Sequence, residues 1–499
     1  MTGNRTAYQE LEARFARHAK LRDVIDLLHW DMATMMPDGG AEARAGQLAT
    51  VKVLAHEMMI DPALGDYLDA AAEDRTLDAW QQANLREMRH VWLRANAVDR
   101  HLVERLSDAN LRCEMIWREA KAKADYAMVR PALEEVLALV RERAGQLAAA
   151  LKLDPYDALL DGYEPGGRAE DIDAVFADLA RFLPDFIGRV LDHQAGRPLP
   201  FALDGPFDLG AQRDLCRRLM QAVGFDFRHG RLDESHHPFC GGVPDDVRLT
   251  TRYEADDFMP GIMGVLHETG HALYDQGLPP EWRHQPVGEA RGMSIHESQS
   301  LIIEMQACRS RDFIGFAAPL MREAFGGTGP AWEPDNIHAH YIHVERSLIR
   351  VDADEVTYPA HVILRYRLER ALIAGDMTLA DLPVAWHDGM RELLGLAPPN
   401  DALGCLQDLH WYAGSWGYFP TYTLGAMSAA QLFQAARRAV PEMPAALSRG
   451  DFRPLLGWLR THVHGKGSFL STLDLLAKAT GRPLDPRAFE AHLEERYLA

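Results

Sequence analysis

The stretch GVLHETGHALYDQGLPP, residues 264 to 280, sets His267 and His271 four apart with Glu268 between them. On a helix, residues four apart carry Cβ atoms about 5–6 Å from each other, so both imidazoles reach one tetrahedral cation. Glu268 lies about a hundred degrees round the axis, close enough to hydrogen-bond a water on that cation without ligating it, which is the position of a general base. A core helix that merely carries two histidines has the same spacing, so a third ligand separates the two readings. Downstream candidates are Asp275, His284, Glu289, His296, Glu297 and Glu304. Asp275 continues the row of four and is better placed to contact an imidazole N–H. Glu297 sits in GMSIHESQSLIIEMQ at helical spacing with its apolar neighbours, so a second helix could lower one carboxylate onto the first.

Several elements must position these groups. Ile262, Val265, Leu266, Thr269 and Leu273 form the core-facing stripe of the histidine helix, with His267, Glu268 and His271 beside it. Pro260 suits the first turn, and Gly277 with Pro279 and Pro280 suits the stop. Just upstream, Val247, Leu249, Thr251 and Tyr253 alternate with Asp246, Arg248, Thr250 and Arg252, which predicts a strand over 245 to 253, with a pairing strand within 225 to 233. Helical periodicity fills the first 150 residues, over 7 to 29, 41 to 60, 76 to 125 and 129 to 152, and resumes near 169 and over 211 to 223. From 258 it holds to the C-terminus, interrupted by GSWGYFPTYTLG at 414 to 425. His338, His340 and His343 do not predict a second metal site, because a gap of two turns the rings to different sides of a helix.

The chain has 499 residues, 47% hydrophobic and 25% charged, the balance of a chain that buries a substantial core. A length prior allows about three domains or one large helical body. A net charge of −20 excludes nucleic acid as a partner over most of the surface, and anionic membranes with it. The N-terminus has no signal-peptide core, and no apolar run is long enough to span a bilayer. Cys113, Cys216, Cys240, Cys308 and Cys405 are scattered and odd in number, which fits free thiols in a reducing cytoplasm.

HETGHALYDQGL followed by HESQSL, whose Glu297 stands 26 residues after His271, resembles the carboxypeptidase Taq family of metallocarboxypeptidases. HPF (237 to 239), DVRLT (246 to 250), LIRVDADEVTY (348 to 358), GCLQDLHW (404 to 411), GYFPTYTLG (417 to 425) and WDMATMMPDGG (30 to 40) extend the resemblance over nearly the whole chain. It implies a mainly α fold: one large helical body over 1 to 499 with a deep cleft, similar to neurolysin and angiotensin-converting enzyme. A small β-hairpin or sheet stands beside the metal helix, and residues 1 to 150 form one wall or lid. It further implies His267, His271 and Glu297 as ligands of one Zn²⁺ per chain, with Co²⁺ or Mn²⁺ also accepted, Glu268 as catalytic base, peptide substrates and a homodimer.

Arg350 lies in HVERSLIRVDADEV, read as a helix with Val344, Leu348, Val351 and Val356 on its apolar side, where it would pair with Asp354. The resemblance instead places the carboxylate-binding Arg at this position, its fork gripping the C-terminus of a peptide. Arg248 faces the polar side of the predicted strand, where it either salt-bridges Asp246 or Asp256 or meets a peptide added at the strand edge. In related folds a Gly-rich loop brings a phenol to the developing oxyanion, which points to Tyr422 and then to Tyr418. His410 and His237 complete the expected substrate contacts. The reading is a metal-dependent carboxypeptidase of broad specificity that releases single residues. An oligopeptidase or dipeptidyl carboxypeptidase on the same fold is the alternative, and a helical binding protein with a vestigial site is a rival of another class.

Overall fold

Helix starts are written locally in this chain: Thr6 with Gln9 and Asp78 with Gln81 form reciprocal capping boxes, while Asp99, Asp125 and Asp208 each accept a backbone N–H of the following helix. The computed structural model describes residues 5–499 apart from 237, so His237 lies outside the described residues. It is mainly α-helical, with one three-stranded sheet among those residues. The run expected over 76 to 125 is two helices, Ala79–Ala97 and Arg100–Lys123, because Asp99 accepts from the N–H groups of His101 and Leu102 and restarts the ladder. No helix among the described residues is long and apolar enough to cross a membrane, and the five cysteines are free.

The sheet consists of β1 (Gly230–Glu234), β2 (Phe239–Val243) and β3 (Asp246–Thr251) in the order β1-β3-β2. β1 runs parallel to β3, pairing Gly230 with Val247 and Glu234 with Thr251. β2, which periodicity does not predict, is antiparallel to β3, with Phe239 opposite Thr250 and Val243 opposite Asp246. Its Gly241 and Gly242 mask the strand pattern. β3 is therefore central and has no free edge, which removes the expectation of a peptide added beside Arg248.

Val247 and Leu249 of β3 pack in one buried cluster with Ile262, Val265, Leu266 and Leu273. Each such burial is worth roughly 1.5–3 kcal/mol, so the sheet and the helix Met259–Asp275 hold each other. A second cluster joins residues 102 to 190 with 344 to 430 and the C-terminal helix Pro486–Tyr497. A third and smaller one, from Tyr8 to Met88, belongs to the N-terminal helices alone.

Two segments depart from helical expectation. Residues 342 to 357 are irregular apart from a 3₁₀ turn at Arg350–Asp352, and Val351, expected on an apolar helix side, is exposed. Pro420 opens the helix Pro420–Ala439, so Tyr422 stands in its first turn and not on the Gly-rich loop.

Candidate active site

The stripe Ile262, Val265, Leu266, Thr269 and Leu273 is buried, while His267, Glu268 and His271 are half-buried beside it. Between the histidines stands Gly270, where a Cβ would lie 2.5 Å from both the Gln299 carbonyl oxygen and the Ser300 Cα. That contact brings the helix Met293–Leu301 hard against the histidine helix and carries Glu297 to the two rings. From the other side the helix Pro420–Ala439 closes in at Gly425, where a Cβ would sit 2.7 Å from the Cβ and Cγ of Glu297.

Glu297 Oε2 lies 3.7 Å from His267 Nε2 and 3.5 Å from His271 Nε2. One donor atom from each of the three residues falls within 4.8 Å of the others. Bonds of 2.0–2.1 Å in tetrahedral geometry separate donors by about 3.3–3.5 Å, so the set fits a divalent cation with little adjustment. Both Nδ1 atoms are already engaged: His267 Nδ1 meets Glu304 Oε2 at 2.9 Å, and His271 Nδ1 meets His296 Nδ1 at 2.6 Å. This leaves each Nε2 free to face the common point.

Glu304 is seven residues beyond Glu297, in the π-helical turn Ile302–Cys308, and Arg309 grips its other oxygen at 2.6 Å. Burial opposes a charge on His267, yet Glu297, Glu304 and Glu268 outweigh it and lift its pKa to about 10. Burial likewise opposes ionisation of Glu297, and His267, His271 and His296 overcome it, holding the carboxyl near 2.

The remaining third-ligand candidates go elsewhere. Asp275 contacts an imidazole as expected, but that of His296, at 3.3 Å. His284 faces Asp23, and Glu289 is bonded by Arg22. A cavity of about 240 Å³ reaches His267, Glu297, Glu304 and Tyr358, and another of about 330 Å³ reaches His296 and Asp275.

Arg350 is buried, and its helix pair with Asp354 does not form. Asp354 instead accepts the N–H groups of Glu345, Val356 and Thr357, which stops the segment from becoming helical. Arg350 Nε and Nη2 donate to Asp408 Oδ1 at 2.9 and 2.8 Å, and Nη1 donates to the Tyr358 hydroxyl at 2.9 Å. Its guanidinium lies 5.1 Å from the Tyr422 ring centre. Tyr358 lines the cavity that reaches His267 and Glu297, so the Arg350 cluster meets the His-Glu cluster there. The Tyr422 ring meets that of Tyr418 edge-on with centres 5.1 Å apart, and its hydroxyl is 3.3 Å from His410 Nε2. Burial, Arg350 and Arg365 push the His410 pKa down to about 4.

The segment carrying His410 and Tyr418 is tied to the core by Glu369, a fully buried carboxylate that accepts Tyr156 O–H, Trp411 Nε1–H and the Gly417 N–H, each at 2.8 Å. Burial raises its pKa to about 7 against those three donors. Arg248 is half-buried, bonded through Nε and Nη2 to Asp246 and stacked 4.3 Å from the Trp30 ring centre. Asp408 and Tyr358 stand inside the motifs QDLHW and DEVTY, but nothing in their spacing marks them, since their partner Arg350 is 58 and 8 residues away.

Residues 10–497 match the family model described as carboxypeptidase Taq (M32) metallopeptidase. Thermostable carboxypeptidase 1 of Thermus thermophilus is 41% identical over 506 residues, covering 99% of this chain and 98% of that protein. The Pyrococcus furiosus protein of the same name is 32% identical over 498 residues, covering 98% of each. Among solved structures, Trypanosoma cruzi metallocarboxypeptidase 1 superposes with a TM-score of 0.97 at 39% identity, covering 99% of both chains.

Proposed function

Because the chain belongs to the carboxypeptidase Taq (M32) family and is a metal-dependent carboxypeptidase acting on the C-terminal peptide bond, we propose a role for each residue of the site. His267, His271 and Glu297 hold one Zn²⁺ per chain through two Nε2 atoms and a carboxylate oxygen; the same donors accept Co²⁺ or Mn²⁺. When bound, the cation supplies Lewis acidity to the scissile carbonyl and acidifies the attacking water. Glu268 takes the water's proton on a carboxylate oxygen and passes it to the leaving amine. Tyr422 donates its O–H to the developing oxyanion, and Tyr418 and His410 hold that phenol in place.

Arg350 binds the terminal carboxylate and so sets which peptide bond meets the cation. Its Nε and Nη2 are committed to Asp408, so Nη1, beside Tyr358, carries this contact. The observation that carries the assignment is this Arg350–Tyr358 bond, because Tyr358 also lines the cavity of His267 and Glu297. Arg248 serves by fixing Trp30 against the sheet, and His237 is retained as a substrate contact from its motif alone. We also propose broad specificity, a homodimer, one catalytic domain over 1 to 499 and a cytoplasmic location, the last supported by five free thiols.

The test compares matched free-acid and C-terminally amidated peptides. Arg350→Ala is expected to lower kcat/KM on the free acid by about 30-fold to several thousand-fold, about 2–5 kcal/mol of transition-state binding, while the amide changes little. An equal loss on both substrates overturns the assignment. Arg248→Ala run alongside should preserve the free-acid preference.

A further inference from the structure

Asp408 is shared between two guanidiniums. Its Oδ1 accepts both bonds from Arg350, and its Oδ2 accepts Arg365 Nε at 2.6 Å. Arg365 is wholly buried on the helix Tyr358–Ala374, stacked 4.5 Å from the Trp386 ring centre. Its Nη1 donates to the His361 carbonyl oxygen at 2.8 Å, and its buried Nη2 has no hydrogen-bond partner. The two imidazoles beside the cluster add no charge at neutral pH. Burial, Arg365 and Arg350 hold His361 near 3, and burial with the same two cations holds His410 near 4.

The cluster therefore contains two cations and one anion in a nearly dry space. A buried charge without its counter-ion is costly, so folded proteins keep one where a ligand completes it. Were Asp408 paired with Arg350 alone, the two would neutralise each other and leave little attraction for a second carboxylate. By taking Oδ2, Arg365 restores one positive charge to the group that faces the substrate.

We propose that Arg365 is a specificity-determining residue that never touches the peptide: through Asp408 it keeps the Arg350 site one charge positive, and so selects substrates with a free C-terminal carboxylate. The inference rests on the assignment of Arg350 given above.

The experiment measures the ratio of kcat/KM for a free-acid peptide to that for its C-terminal amide in the metal-loaded enzyme. Arg365→Gln keeps a donor for Asp408 Oδ2 and removes the charge; Arg365→Lys keeps both. The ratio is expected to fall tenfold or more in the Gln variant, chiefly through KM, and to return to within threefold of the parent in the Lys variant. Should the Gln variant not fold, Arg365→Met, which retains the stacking on Trp386, takes its place with the same expectation. A ratio unchanged in the neutral variants, while Arg350→Ala abolishes it, overturns the role of Arg365. Loss in the Lys variant as large as in the Gln variant also overturns it, since shape and not charge would then be at work. If Arg350→Ala leaves the ratio intact, the underlying assignment of Arg350 is what fails.

Discussion

Glu268 is one residue from His267, yet the helix turns it away from the point that both Nε2 atoms face, and this divides the work between neighbouring side chains. The division gives a direct expectation. Glu268→Gln keeps the three donors and removes the proton acceptor, so metal content measured after gel filtration should stay near that of the parent while kcat falls by roughly 10²–10⁴-fold. His267→Ala and Glu297→Ala should lose metal as well as activity. Equal metal retention in all three variants would remove Glu297 from the ligand set. Glu304 and His296 belong to the same scale, because each occupies the Nδ1 of one histidine and so commits its Nε2.

At the scale of elements, the site depends on how closely three helices approach. Gly270→Ala would drive a methyl into the backbone of Gln299 and Ser300, so it should cost about 1–3 kcal/mol or more in thermal unfolding and weaken metal binding together. Gly264, six residues earlier on the same helix, has nothing within 4 Å of a built Cβ. Gly264→Ala should be neutral or stabilising by up to about 1 kcal/mol, and equal losses in the two variants would show that the crossing is not what matters.

Glu369 supplies an element-scale prediction in pH. Its folded pKa, raised by burial from 4.5 to about 7, lies above the unfolded value. Its contribution is therefore fully present below pH 4.5 and is lost as pH rises to 7, a swing on the order of 3 kcal/mol. Glu369→Gln, a neutral mimic, lacks that swing. Chemical unfolding across this window should show the variant gaining on the parent by a similar amount, and a constant difference would mean that Glu369 does not titrate there.

Across the whole molecule, stability is unevenly spread. The helices Ala7–Thr34 and Ala41–Met59 rest on the small cluster from Tyr8 to Met88, and between residues 16 and 29 the first helix buries no side chain. The first helix meets the rest largely through polar and stacked contacts: Arg22 with Glu289, Asp23 with His284, the Glu12 carbonyl oxygen accepting from Gln285 Nε2, and Trp30 under Arg231 and Arg248. Exposed ion pairs are worth about 0–1 kcal/mol each. Amide exchange should accordingly report opening of these two helices at lower free energy than of Met259–Asp275. Equal protection would mean that they open only with the whole body.

The sequence by itself determined the histidine helix with its buried stripe, its start and its stop, the central strand, and the metal-dependent carboxypeptidase reading. The helix and the strand rest on spacings of two to four residues, which local geometry translates directly into faces, whereas the carboxypeptidase reading rests on the resemblance of several motifs to a known family. Motif order along the chain extended the reading to Glu297. Only the tertiary structure decided what these groups touch. β2, with its glycines, forms because β3 offers it an edge; Arg350 abandons Asp354 for Asp408 because Asp354 is spent on three backbone N–H groups; and Gly270 acquires its meaning only where a second helix crosses it. Contacts between residues tens of positions apart leave no period in the sequence, and the energy that selects them, burial and charge pairing, is settled only when the elements meet.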